Sequence, residues 1–168
     1  MKFPSPDNPV IFKLTKKKLT PVLIDISLRS NPLPKDGTPV EMDLMNGHVV
    51  QPGQGNLRVE CWAPDATDNR SHHYAWRYRL TVMDGGLLEK SPDLNAEAPV
   101  VGYKLADEMS VASDQQPWKD SIEKNYFVKL KNGNYALLDF SISTGSNMFF
   151  YTQTYVNPSG GRSLQVGQ

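Results

Sequence analysis

The stretch from Asn125 to Val156, NYFVKLKNGNYALLDFSISTGSNMFFYTQTYV, reads as three antiparallel strands in succession. Two apolar runs, Tyr126 to Leu130 and Tyr135 to Phe140, flank Asn132-Gly133. That dipeptide is a strong hairpin signal, because both residues tolerate the positive φ of a type I′ turn. A two-residue loop predicts Leu130 opposite Tyr135 and Val128 opposite Leu137, with Asp139 on the same face. Lys129–Ala136, Phe127–Leu138 and Asn125–Phe140 then pair on the other. A third run, Met148 to Val156, follows the turn-like residues 143–147. Its Phe149, Phe150, Tyr151, Thr152, Thr154 and Tyr155 are the aromatic and β-branched types that suit a half-buried pleated surface.

Working outward, the same grammar recurs. Val22, Ile24, Ile26 and Leu28 alternate with Leu23, Asp25 and Ser27; Met42 and Leu44 share a face; Leu57, Val59 and Cys61 oppose Arg58, Glu60 and Trp62. The clearest alternation sets Tyr74, Trp76, Tyr78, Leu80 and Val82 against Ala75, Arg77, Arg79 and Thr81. A further short strand is expected over residues 10–14. Residues 87–101 are rich in turn formers and read as a surface excursion. Helix is expected only in two short pieces, 105–111 and 118–124, the second behind Pro117, which suits a first helical turn. Residues 1–9, with Pro4, Pro6 and Pro9, read as an extended arm or linker, and residues 10–168 as a single domain. The expected architecture is an all-β antiparallel sandwich, its jelly-roll or immunoglobulin-like topology left open, with at most two short helices.

A chain of 168 residues buries roughly 70% of its unfolded surface on folding, so a core forms without metal or disulfide staples. Lys plus Arg is 18 and Asp plus Glu is 18, a formal charge of zero, which argues against a nucleic-acid partner. The run Lys16-Lys17-Lys18 reads as a solvated turn or edge. Cys61 is the only cysteine, so no intrachain disulfide forms. No apolar run is long enough to span a bilayer, and Met1 to Pro6 has no signal-peptide apolar core. The start fits a native cytoplasmic chain or one cut after a signal peptide. The sequence carries no signal for oligomeric state.

Residues 126–164 join an aromatic-Val strand, the turn Lys131-Asn132-Gly133-Asn134-Tyr135-Ala136, a Phe-containing strand and Tyr155-Val156-Asn157-Pro158-Ser159-Gly160-Gly161-Arg162-Ser163-Leu164. The combination resembles the last strands of uncharacterised exported β-domains of bacteria. The resemblance covers about a quarter of the chain and implies a periplasmic or extracellular setting without implying an activity. The hairpin alone is also similar to the C-terminal part of the HmuY-like haem-binding lipoproteins of Porphyromonas-like gut and oral bacteria. That family holds haem through a histidine pair, and no histidine lies in or near this hairpin.

Few residue constellations carry chemistry. His72 and His73, with Asp65, Asp68 and Cys61 near them in sequence, offer metal-ligand atom types. Adjacent histidines on a strand point to opposite faces, and Cys61 falls on the expected buried face with Leu57 and Val59, where a free cysteine acts as a small hydrophobe. Asp65 to Asn69 lacks the central glycine and closing Glu of a calcium loop. There is no nucleophile elbow, and residues 51–55 have glycines without the Lys-Ser/Thr of a phosphate loop. No cofactor is expected. Asp139 is the acid of most interest; its plain reading is a hydrogen-bonded carboxylate at the sheet rim. The candidate ligand-binding residues are Arg58, Trp62, Arg77 and Arg79, which share the outward face of two strands, and Trp118 in a loop. Arginines interleaved with an aromatic are interface-forming; the plain readings are a solubilising face paired through Glu60, and a Trp118 that plugs the sandwich end. The expected function is a non-catalytic binding or structural module of an exported bacterial protein, with protein or carbohydrate as partner. A carbohydrate-active enzyme is the alternative, and a haem or metal carrier the second alternative.

Overall fold

The computed structural model describes residues 22–66, 72–91, 96–145 and 147–165. The expected strand at 10–14 and the arm at 1–9 lie outside them. Ten strands form: β1 (Ile24–Pro32), β2 (Val40–Asp43), β3 (His48–Val50), β4 (Leu57–Trp62), β5 (Trp76–Val82), β6 (Gly86–Glu89), β7 (Ala106–Val111), β8 (Ser121–Lys129), β9 (Tyr135–Ser143) and β10 (Phe149–Val156). They make two five-stranded sheets, in the orders β1-β10-β9-β8-β6 and β3-β2-β4-β5-β7, with every pairing antiparallel. The molecule is an all-β sandwich, and among the described residues there is no helix.

The period-two patterns account for the core. Leu57, Val59, Cys61, Trp76, Tyr78, Leu80 and Val82 are buried in the second sheet, against Tyr126, Val128, Leu138, Phe140, Ile142, Phe150 and Val156 of the first. The sheets touch directly where the Tyr78 and Phe140 rings stand 5.6 Å apart. Arg77 is exposed, while Arg79 and Thr81 are half-buried, as the alternation of β5 requires.

Three expectations are corrected. Residues 105–111 and 118–124 are not helices: the first becomes β7 and most of the second opens β8. Both are short, and pairing along a neighbouring strand satisfies more of their backbone than two isolated turns would. Residues 87–101 are not wholly a surface excursion, because β6 pairs with β8 from Gly86↔Lys129 to Glu89↔Tyr126. The chain passes from one sheet to the other within Met83 to Gly85, with Asp84 at φ 56°. A side chain at Gly85 would collide with the Lys129 carbonyl.

The third correction is the hairpin register. β8 and β9 pair Lys129 with Tyr135, Val128 with Ala136, Phe127 with Leu137 and Asn125 with Asp139. The loop is closed by Leu130 N–H donating to Asn134 O at 2.8 Å and Gly133 N–H donating to Leu130 O at 2.9 Å. Gly133 alone in this loop has a positive φ, at 83°. The turn is therefore a three-residue loop with a left-handed glycine, not the two-residue type I′ form. One added loop residue moves every pair by one. Asp139 consequently lies with Leu137, Phe127 and Asn125 on the outer face, while Val128 points into the core.

Part of that outer face is also covered. Phe127, Tyr135, Ala98 and Leu164 are buried in a second cluster, with Leu23, Leu88, Tyr103 and Leu137 packed on it. Ala98 N–H donates to Arg162 O at 2.8 Å and Leu164 N–H to Ala96 O at 2.7 Å, so segments 96–103 and 157–164 form a lid. The buried Asn157 fixes the lid's turn, donating to Ser163 O and accepting from Ser159 N–H and Oγ–H.

Nothing lies within 4 Å of a Cβ built at Gly133, so only its backbone conformation restricts the position. Gly133→Val should cost about 1–3 kcal/mol, the scale of a strained left-handed residue. A urea unfolding midpoint identical to the parent's would contradict the turn assignment.

Candidate functional site

The cross-strand register decides which side chains meet. β4 and β5 pair Trp62 with Arg77, Glu60 with Arg79 and Arg58 with Thr81, so Arg58, Trp62, Arg77 and Arg79 share the outer face of the second sheet as the alternation requires. Their partners differ. Arg58 donates through Nε and Nη2 to Glu41 Oε1 at 3.1 and 2.7 Å. Glu41 is buried, and its Oε2 accepts the Gly53 and Gly55 N–H groups at 2.7 and 3.2 Å. Burial pushes this carboxyl up, but Arg58 and those two amides outweigh it and hold it below the usual Glu range. Arg79 bonds Glu108 of β7 at 2.6 Å rather than Glu60, which stands opposite it. Arg77 lies over the Trp62 ring, its guanidinium carbon 4.1 Å from the centroid. Among the described residues it has no carboxylate partner.

Trp62 is not an open stacking platform. One face of its indole carries Arg77, and its edge presses against Gly37, where any side chain would clash with it. The loop holding Gly37 is pinned by Gly37 N–H to Cys61 O at 2.8 Å and Ala63 N–H to Lys35 O at 2.9 Å. Beside the pair is a depression of about 390 Å³ over Ala75 and Arg77. Trp62 and Pro64 line it from the β4 side, and Ser110, Val111 and Ala112 from the β7 side. A second depression, about 490 Å³, shares Pro64, Asp65 and Ala75 and extends to His72 and His73.

Trp118 belongs to the end of the sandwich. Its indole Nε1 donates to Tyr74 O at 3.0 Å and its ring meets Tyr74 edge-on at 5.1 Å. His73 stacks on it at 4.7 Å, with the planes 8° apart. His72 and His73 are both exposed, and Asp68 lies outside the described residues. Among the described residues no three His, Cys, Asp or Glu side chains come together as a metal site. Cys61 is fully buried, and burial pushes its thiol up to about 12.

Two features were not legible from the sequence. The first is a shelf on the outer face of the first sheet. The register lines up Asn125, Asp139 and Gln153 in one row and Glu123, Ser141 and Tyr151 in the next, around a depression of about 280 Å³. Gln153 is already engaged, accepting from the Tyr151 hydroxyl at 3.0 Å and donating to Asp25 at 3.1 Å. Burial, with the nearby Asp25 charge, raises the Asp139 carboxyl above its ordinary value, although Lys90 acts the other way.

The second is a polar cluster between the sheets. Asp107 Oδ2 accepts from the Tyr126 hydroxyl at 2.7 Å, the Tyr78 hydroxyl at 3.0 Å and Lys124 Nζ at 2.9 Å. Lys124 also bonds Glu89 at 2.9 Å. Burial pushes the Asp107 carboxyl up, but its three donors prevail and hold it below the ordinary 3.8. Burial raises the Tyr78 hydroxyl to about 12. Asp107 and Tyr78 come from the second sheet, Lys124 and Tyr126 from the first, so one carboxylate ties the layers together. Its Oδ2 gathers donors from both sheets, and in that role the cluster acts as a structural tie.

Compared with protein-family models, with curated proteins and with solved structures, the chain matches none.

Asp107→Asn should destabilise the domain by about 1–3 kcal/mol, the cost of a buried hydrogen-bonding group left short of a partner. The sign of the pH dependence follows from the depressed carboxyl. Its stabilisation is present above the unfolded-state value near 3.8 and is lost as pH falls through the lower folded-state value. Urea midpoints measured from neutral pH down to strongly acidic buffer should fall less steeply for the variant than for the parent. Parallel curves would contradict the tie.

Proposed function

We propose that the chain is a non-catalytic binding module of an exported bacterial protein, with the outer face of β4 and β5 as its contact surface. The observation that carries this reading is Arg77: set over the Trp62 ring, without a carboxylate partner among the described residues, beside a largely apolar depression. An immobilised guanidinium next to apolar surface loses little side-chain freedom on binding and offers directed donors, which is why arginine and aromatic residues recur at binding hot spots. The other two arginines of the face are engaged within the fold. The exported setting rests on the resemblance of residues 126–164 to closing strands of exported bacterial β-domains. The formal charge of zero favours a partner other than nucleic acid.

A second reading, a carbohydrate-active enzyme, is favoured by the shelf alone. Asp139, whose carboxyl burial raises, and Glu123 border one depression, and a raised carboxyl is the kind that suits a general acid.

Changing Trp62 and Arg77 together to alanine should weaken binding to a partner identified by glycan-array or pull-down screening by about 2 kcal/mol or more, the hot-spot scale, with folding retained. Arg77→Ala alone serves as the control that leaves the Trp62–Gly37 packing untouched. Unchanged partner retention by both variants would sink the proposed surface. For the second reading, chromogenic glycosides should be hydrolysed by the parent and not by Asp139→Asn. No turnover above the uncatalysed rate by the parent would remove it.

A further inference from the structure

We infer that the depression beside Arg77 binds a small organic acid, one carboxylate carried on a flat apolar body. The inference rests on the reading of this sheet face as the binding surface and names the chemistry it takes. Charge comes first. Arg58 is bound to Glu41 and Arg79 to Glu108, so the face carries one positive group without a partner among the described residues rather than a basic patch. Asp65 lines the same depression and Glu60 stands on the adjacent strand opposite Arg79. Those acids disfavour a polyanion and leave room for a single negative charge.

Orientation comes second. The Arg77 guanidinium carbon stands 4.1 Å from the Trp62 ring centroid, and no carboxylate among the described residues takes up its N–H edge, which is left to donate. That edge is the fork that receives a carboxylate through two parallel hydrogen bonds, a geometry that an ammonium group would not impose.

Shape comes third. Ala75, the outward neighbour of Arg77 along the chain of β5 and its lead-in, contributes only a methyl, so the floor drops between taller walls. Trp62 and Pro64 on one side and Ala112 on the other are apolar, which suits a ring or short hydrocarbon lying flat. A volume of about 390 Å³ falls in the range of small-molecule sites.

The test titrates the purified chain with indole-3-acetate, benzoate and 4-phenylbutyrate, following heat or protein NMR shifts. Indole-3-acetamide is the neutral control, and inorganic phosphate is the simple-anion control. At least one of the three acids should bind saturably with one site per chain. Its neutral or inorganic counterpart should bind roughly tenfold more weakly or not at all, as expected for a lost charge-assisted pair. Arg77→Gln should weaken the acid by a similar factor. Ala75→Leu, which fills the floor, should abolish binding with the melting temperature unchanged. Equal binding of acid and amide, binding of phosphate as tight as the acids, an Arg77→Gln chain that binds like the parent, or no saturable binding by any of the three acids would each overturn the inference. In the last case, loss of a larger partner on Trp62/Arg77 replacement would still leave the binding surface standing, so the ligand class and the surface fail separately.

Discussion

The first sheet depends on one backbone constraint, the left-handed conformation of Gly133 in a three-residue turn. A two-residue turn at the same place would join the same strands with each pair displaced by one. Because side chains alternate along a strand, that displacement changes which residues meet across the ladder and which share a face. The observed turn sets Tyr126 opposite Leu138 and Lys124 opposite Phe140 on the inner face, and Asn125 opposite Asp139 on the outer one. The inter-sheet tie and the outer shelf both descend from that register.

The tie explains why the sandwich admits charge at its margin. A carboxylate between two sheets is costly unless its lone pairs are matched. Asp107 is matched by two tyrosine hydroxyls and an ammonium, and the ammonium is matched in turn by the more exposed Glu89. The same logic governs Glu41, whose buried carboxylate collects Arg58 and two loop amides and so fastens residues 51–55 over β2. In both places burial and donors oppose each other, and the donors prevail. Asp139 is the contrast: burial prevails there over the Lys90 charge that acts the other way. An acid left in that condition is the kind that functional sites employ.

The second sheet separates its arginines by the same accounting of partners. Alternation places them on one face, but their roles diverge with what each strand's neighbour offers. Glu41 on β2 takes Arg58, Glu108 on β7 takes Arg79, and Arg77 meets Trp62 and Ser110 instead. A residue engaged by a carboxylate is part of the fold's own cohesion. The one set over an aromatic ring has donors that no carboxylate among the described residues takes up.

What the sequence by itself determined is the pattern with period two. The strands 57–62 and 76–82 and the burial of Leu57, Val59, Cys61, Trp76, Tyr78, Leu80 and Val82 follow from alternation alone, because a strand with one wet face must put its apolar residues on the other. The shared face of Arg58, Trp62, Arg77 and Arg79 follows from it as well. Tertiary structure decided the rest. Whether Asn132-Gly133 formed a two- or a three-residue loop depended on the pairing of whole strands, which the dipeptide does not encode. Residues 105–111 and 118–124 became strands because neighbouring edges supplied hydrogen bonds that no local periodicity announces. Asp107, Lys124, Tyr78 and Tyr126 are spread from residue 78 to residue 126, and their meeting is a consequence of sheet order, a long-range property. Alternation is a local record of which side faces water; which side chain faces which is written only when the layers close.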